Sequence, residues 1–121
     1  MARVLVVDDD GELRDVLRES VELDGHTALV ASNGREALRV LREEGADVVV
    51  LDLMMPVMNG WQFLEAVRAE PRLAQVPVIV ISAAARPPPA PIQAYLPKPF
   101  EFDVLASEIR RQARAADLHP R

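Results

Sequence analysis

Nine residues near the middle of the chain, Val48-Val49-Val50-Leu51-Asp52-Leu53-Met54-Met55-Pro56, narrow what it can fold into. Four apolar residues, three of them β-branched, read as a strand covered on both faces. A carboxylate ends the run at once, and Pro56 soon stops regular structure. In an open α/β sheet, ligands sit outside the carboxyl ends of the strands. Asp52 therefore stands where such a fold does its chemistry. Taken alone, it also fits a turn or helix-capping aspartate.

The flanking sequence decides between these. Val4 to Val7 form a second apolar run, closed by Asp8, Asp9 and Asp10. From Glu12 the period changes, and Leu13, Val16, Leu17 and Val21 are spaced as one face of a helix. Asp10 is a suitable N-cap and Asp24-Gly25 a suitable stop. Residues 27–31 read as a weaker strand. Ser32 or Asn33 caps a second helix that turns Ala37, Leu38 and Leu41 inward and ends near Gly45. Gly60 opens a third helix, with Trp61, Leu64, Val67 and Phe63 on or near its apolar side. Residues 76–81 form a fourth buried run, entered through Pro77. Residues 94–96 read as a short fifth strand and 101–116 as a last helix. Arg110, Arg111 and Arg114 are placed to favour that helix's C-terminal dipole. Strands alternating with helices imply a parallel sheet covered on both faces.

One connection breaks the alternation. Between Ile81 and Tyr95 lie Pro87, Pro88, Pro89 and Pro91. Each proline inside a helix costs about 3 kcal/mol, so the sequence predicts an extended or loop connection there, with at most a helical turn at its start.

With 121 residues, half of them apolar, the chain suits a single domain, residues 1–121, with one core. It has no cysteine, which excludes disulfides and thiolate metal sites. A formal charge of −5 argues against a surface for nucleic acid. No apolar run approaches a membrane span, and none resembles a signal-peptide core. The expectation is a cytoplasmic protein with no membrane or direct nucleic-acid partner.

Asp8 and Asp9, Asp52, Ser82 and Lys98 all fall at the carboxyl ends of predicted strands. In a flavodoxin-like order strands one and three are neighbours across the switch point, and their carboxylates would then converge. Such a cluster is tolerable around a cation, and oxygen ligands with an open side suit Mg²⁺. Thirteen arginines accompany a single lysine, Lys98. A compact ammonium at this place, in a chain that uses arginine everywhere else, points to a point-charge role.

The segments VLVVDDD, LDLMMPVMNG, VIVISA and YLPKPF, in that order, resemble the receiver domain of two-component response regulators. The resemblance covers nearly the whole chain and departs from the family over the proline-rich connection. It implies a flavodoxin-like, doubly wound α/β fold with five parallel strands in the order 2-1-3-4-5, and here a proline-rich loop in place of the family's fourth helix. It implies Asp52 as phosphoacceptor, Asp9 as a direct Mg²⁺ ligand, Asp8 as an outer acid, and the backbone carbonyl of Met54 as a further ligand. Ser82 matches the hydroxyl that bonds the phosphoryl group, and Lys98 the lysine that pairs with it. Tyr95 matches the aromatic that changes rotamer on activation, Lys98-Pro99 a bond usually cis, and Gly60 a position that lets the loop after Asp52 bend.

The resemblance implies a signalling switch rather than an enzyme with a substrate of its own. The implied partner is a sensor histidine kinase or a histidine phosphotransfer protein. Without a fourth helix, Tyr95 and part of Ile81 are expected to leave an apolar patch for a partner or a second copy, hence a homodimer through an altered output face. A flavin-binding protein is disfavoured, because three aspartates after strand one would repel a phosphate. A phosphohydrolase would usually want an acid where Met54 stands. A phosphorylation-independent interaction module is the remaining alternative.

Overall fold

A computed structural model describes residues 2–83 and 91–118, with the backbone alone at 116–118. Nine elements run in order among the described residues: β1 (Arg3–Val7), α1 (Gly11–Leu23), β2 (Thr27–Ala31), α2 (Gly34–Glu44), β3 (Val48–Asp52), α3 (Gly60–Ala69), β4 (Val78–Ser82), β5 (Ala94–Pro97) and α4 (Phe102–Leu118). The strands form one parallel sheet in the order β2-β1-β3-β4-β5. The strand order that the resemblance implied is therefore the one observed. The middle of the proline-rich connection, residues 84–90, lies outside the described residues, and with it the expected replacement of a fourth helix.

Side-chain alternation along the strands divides the core in two. Leu5, Val7, Val49, Leu51, Val78 and Val80 face α2 and α3, where Leu38, Leu41, Phe63, Leu64 and Val67 meet them. Val4, Val6, Val48, Val50, Ile79 and Ile81 face α1 and α4, packing on Leu17, Val21, Leu105 and Ile109. Because β1, β3 and β4 are covered on both sides, they read as unbroken apolar runs.

Local signals place the helices. The Asp10 carboxylate accepts from the N–H groups of Glu12 and Leu13. Asn33, rather than Ser32, caps α2, while the Ser32 N–H donates to Glu36 Oε1 at 2.9 Å. Asn59 and Gln62 close a reciprocal capping box at the start of α3. Gly25 and Gly45 follow α1 and α2 with φ of 88° and 73°, where a side chain would be strained.

Three expectations need correction. Val16 is 45% exposed, because Leu13, Leu17 and Val21 are enough to seat α1 on the sheet. The last helix runs on to Leu118, so Arg110, Arg111 and Arg114 do not occupy its final turn. Arg110 instead donates to both oxygens of Asp24, at 3.1 and 2.9 Å, tying α4 to the end of α1. Ile81 is completely buried on the α1–α4 side, whereas Tyr95 packs toward α2 and α3. The two lie on opposite faces of the sheet and do not share a patch.

Candidate functional site

The four strands that matter end at one edge of the sheet. Asp8 follows β1, Asp52 closes β3, Ser82 closes β4, and Lys98 comes directly after β5. The Asp8 N–H continues the ladder by donating to the Ala31 carbonyl at 3.1 Å. The chain then turns sharply. Asp8 Oδ1 accepts from the Asp10 N–H at 2.9 Å, and the Asp8 carbonyl accepts from Arg14 Nη1 at 2.8 Å. Asp8 and Asp52 are buried while Asp9 is exposed. Carboxylate oxygens of all three lie within 4.8 Å of one another.

Lys98 reaches into this cluster. Its Nζ donates to Asp8 Oδ2 at 3.0 Å and lies 3.5 Å from Asp52 Oδ1. One ammonium faces three carboxylates, so the charge balance is incomplete. Burial, then the charge of Asp8, push Asp52 up to about 6, against Lys98 and the Met54 N–H, which hold it down. Burial pulls the Lys98 pKa down, but the Asp8 and Asp52 carboxylates outweigh that and raise it. An all-oxygen, negatively charged and partly open donor set fits a hard divalent cation such as Mg²⁺.

The remaining sequence candidates fall around this centre. Ser82 is buried, and its carbonyl accepts from the Lys98 N–H at 2.8 Å. Lys98-Pro99 is cis. Met54 touches Asp52 through its N–H, and its side chain is exposed. Tyr95 stands opposite Val80, half-buried against the α2–α3 core and outside the charged cluster. Gly60 donates its N–H to the Leu53 carbonyl at 2.9 Å, and a Cβ there would lie 2.6 Å from the Asp52 carbonyl oxygen. Lack of a side chain, not an unusual φ, brings α3 this close to the loop after Asp52.

Sequence reasoning missed Val57 in that loop. It has φ 69° and is 67% exposed. The Met58 N–H donates to the Pro56 carbonyl at 2.8 Å, so Val57 is the centre of a γ-turn with positive φ, a rare and strained conformation that nothing in the local sequence announces. Val57→Gly should raise stability by about 1 kcal/mol, since glycine takes a positive φ without a Cβ clash. A thermal midpoint unchanged or lowered in that variant would show that the loop is not strained.

A parallel five-stranded sheet carrying three carboxylates and one lysine at a single edge has well-defined counterparts. Residues 4–110 match the response regulator receiver domain, and the chain belongs to that family. It is 37% identical over 121 residues to a probable transcriptional regulator, ycf27, of Pyropia yezoensis, covering 95% of this chain and 49% of the relative. Against the transcriptional regulatory protein CpxR of Escherichia coli K12 it is 37% identical over 116 residues, covering 91% and 48%. The chain thus spans about half the length of these relatives. The receiver domain of the Francisella response regulator 1452 superposes with a TM-score of 0.84 at 28% identity, covering 96% of this chain and 99% of that one. Among the described residues no helix is long and apolar enough to cross a membrane.

Proposed function

We propose that this receiver domain is a phosphorylation-controlled switch with Asp52 as its phosphoacceptor. The observation that carries the reading is the pairing of three converging carboxylates with the chain's only lysine, 3.0 Å from Asp8 and 3.5 Å from Asp52. The donor is a phosphohistidine on a sensor kinase or phosphotransfer protein. An Asp52 carboxylate oxygen attacks phosphorus, the P–N bond breaks, and the imidazole nitrogen keeps the electron pair.

Nucleophile and phosphoryl group are both anionic, so the site must offset their repulsion. Asp8, Asp9, Asp52 and the Met54 carbonyl would hold Mg²⁺, which when bound supplies that neutralisation. Lys98 supplies a fixed positive charge from β5, and the Ser82 hydroxyl bonds a phosphoryl oxygen. Product formation then biases two packings of the β4 and β5 ends, with Tyr95 responding on its own face. The domain assists its own phosphorylation and dephosphorylation without turning over a separate substrate.

Incubation with Mg²⁺ and acetyl phosphate, followed by intact mass, tests the reading: one phosphoryl group should be gained. An unchanged mass would leave the interaction module as the better account. Mg²⁺ binding should be visible through Trp61, the only tryptophan, at the start of α3. Asp9→Ala should weaken that binding about tenfold or more, because affinity follows the number of charged ligands. Since Asp9 is exposed, the variant should fold normally. Unaltered affinity would place the ion elsewhere.

A further inference from the structure

Arg68 sits in the last turn of α3, beside the entry to β5 and at the opposite end of that strand from Lys98. Its Nη1 donates to the carbonyls of Ala74 and Val76, at 2.9 and 2.8 Å. Its Nε and Nη2 both donate to the Pro91 carbonyl, at 3.1 and 2.8 Å. One rigid guanidinium thus joins the turn between α3 and β4 to the segment that starts β5. Burial lowers its pKa from the ordinary arginine value.

β5 needs such a fastening. It is an edge strand of four residues, none of them buried. Pro97 has no N–H to offer the ladder. The strand pairs with β4 from Ala94, opposite Ile79, to Pro97, opposite Ser82, and further bonds hold each end. At the exit, the Lys98 N–H donates to Ser82. At the entry, the Gln93 N–H donates to the Val78 carbonyl at 2.9 Å, and Gln93 Oε1 accepts from the Val78 N–H at 2.6 Å. Arg68 holds Pro91, two residues earlier. A slide of one residue would carry Lys98 about 3.3 Å along the strand direction, enough to break its contact with Asp8.

We propose that Arg68 is a positioning residue for phosphoryl transfer: by holding Pro91 to the α3–β4 turn it fixes the height of β5, and so the place of Lys98 over Asp8 and Asp52. The proposal rests on the reading of Asp52 as phosphoacceptor. A guanidinium is pre-organised to serve several acceptors at once. A shorter, neutral amide at this position cannot span the Ala74, Val76 and Pro91 carbonyls together.

The test uses Arg68→Gln, in which Lys98 remains the only lysine, so a ¹³C-lysine-labelled sample gives one side-chain spin system. In the unvaried protein the two ε-methylene protons of a held Lys98 should be resolved. In Arg68→Gln they should merge toward one averaged signal, and the initial rate of phosphoryl uptake from acetyl phosphate should fall about tenfold. Mg²⁺ affinity read at Trp61 should not fall, because the three carboxylates stay in place at the ends of β1 and β3 and a displaced ammonium repels the cation less. A merely structural arginine would lower the melting temperature and leave the lysine signal alone; that outcome overturns the proposal, whatever the rate. An altered signal with an unaltered rate overturns it too. If the unvaried protein takes up no phosphoryl group, the phosphoacceptor reading fails instead, while the lysine signal still reports whether Arg68 sets Lys98. Should Arg68→Gln not fold, Arg68→Met keeps the apolar stem and loses the bonds to Ala74, Val76 and Pro91. It must produce the same two changes, and their absence overturns the proposal.

Discussion

Asp52→Asn is expected to abolish phosphoryl uptake from acetyl phosphate and, at the same time, to make the metal-free protein more stable at neutral pH. The first effect follows because an amide oxygen is no nucleophile toward phosphorus. The second follows from charge. Asp52 holds its proton up to about 6 in the folded protein, against an ordinary value of 3.8. Its folded pKa is raised, so the stability linked to its protonated form is complete below 3.8 and is lost as pH rises through about 6. Two pKa units correspond to about 2–3 kcal/mol of cost at pH 7, which asparagine does not bear. Asparagine keeps an oxygen for the Met54 N–H, and Lys98 keeps Asp8. Urea unfolding without Mg²⁺ should therefore show the variant ahead at pH 7 and the gap closing toward pH 4. A variant that still gains phosphoryl mass, with Ser82 excluded as substitute acceptor, would remove Asp52 from its role. A variant less stable at pH 7 would mean that Lys98 already balances the cluster.

Gly60→Ala should cost stability, whereas Gly11→Ala should not. Both glycines open a helix, so intrinsic propensity favours alanine at each by at most about 1 kcal/mol. The surroundings differ. At Gly11 a new Cβ meets only Arg14 Nη2, at an ordinary 3.7 Å. At Gly60 it would stand 2.6 Å from both the Asp52 carbonyl oxygen and Leu53 Cα, which are backbone atoms without a flexible end to yield. Overpacking of this kind costs about 1–3 kcal/mol and sometimes more, so the clash outweighs the propensity gain. The thermal midpoint of Gly60→Ala should drop by several degrees. Phosphoryl uptake should slow as well, since the displaced backbone is that of Asp52 itself. A Gly60→Ala midpoint at or above that of Gly11→Ala would show that the loop after Asp52 moves aside freely.

Much of this was legible in the sequence where one physical cause dominates. The apolar runs at Val4 to Val7 and Val48 to Leu51 are buried on both faces, so no rival period competes. Asp10 and Gly45 mark helix ends through local hydrogen bonds and local φ. The lone lysine, conspicuous among thirteen arginines, is the one that lies 3.0 Å from Asp8. What stayed hidden depends on groups far apart in the chain. The Val16 period fits an inward face, but a helix of this width needs only part of it. Ile81 and Tyr95 look alike as apolar strand residues, and only the pairing of Tyr95 with Val80 separates their faces. Arg68 resembles any basic residue at a helix end until the carbonyls of Ala74, Val76 and Pro91 gather round it.

The division of the core has a consequence for how news of the site can travel. Tyr95 belongs to the compartment of α2 and α3, while its neighbour Leu96, with Phe100, belongs to that of α1 and α4. A rotation of the Tyr95 ring is a private message, audible on one side of the sheet only. A shift of β5 along its own axis is a broadcast, because it moves Tyr95 and Leu96 together. The same edge strand can thus address one listener or two, and the mode of movement rather than its size selects between them.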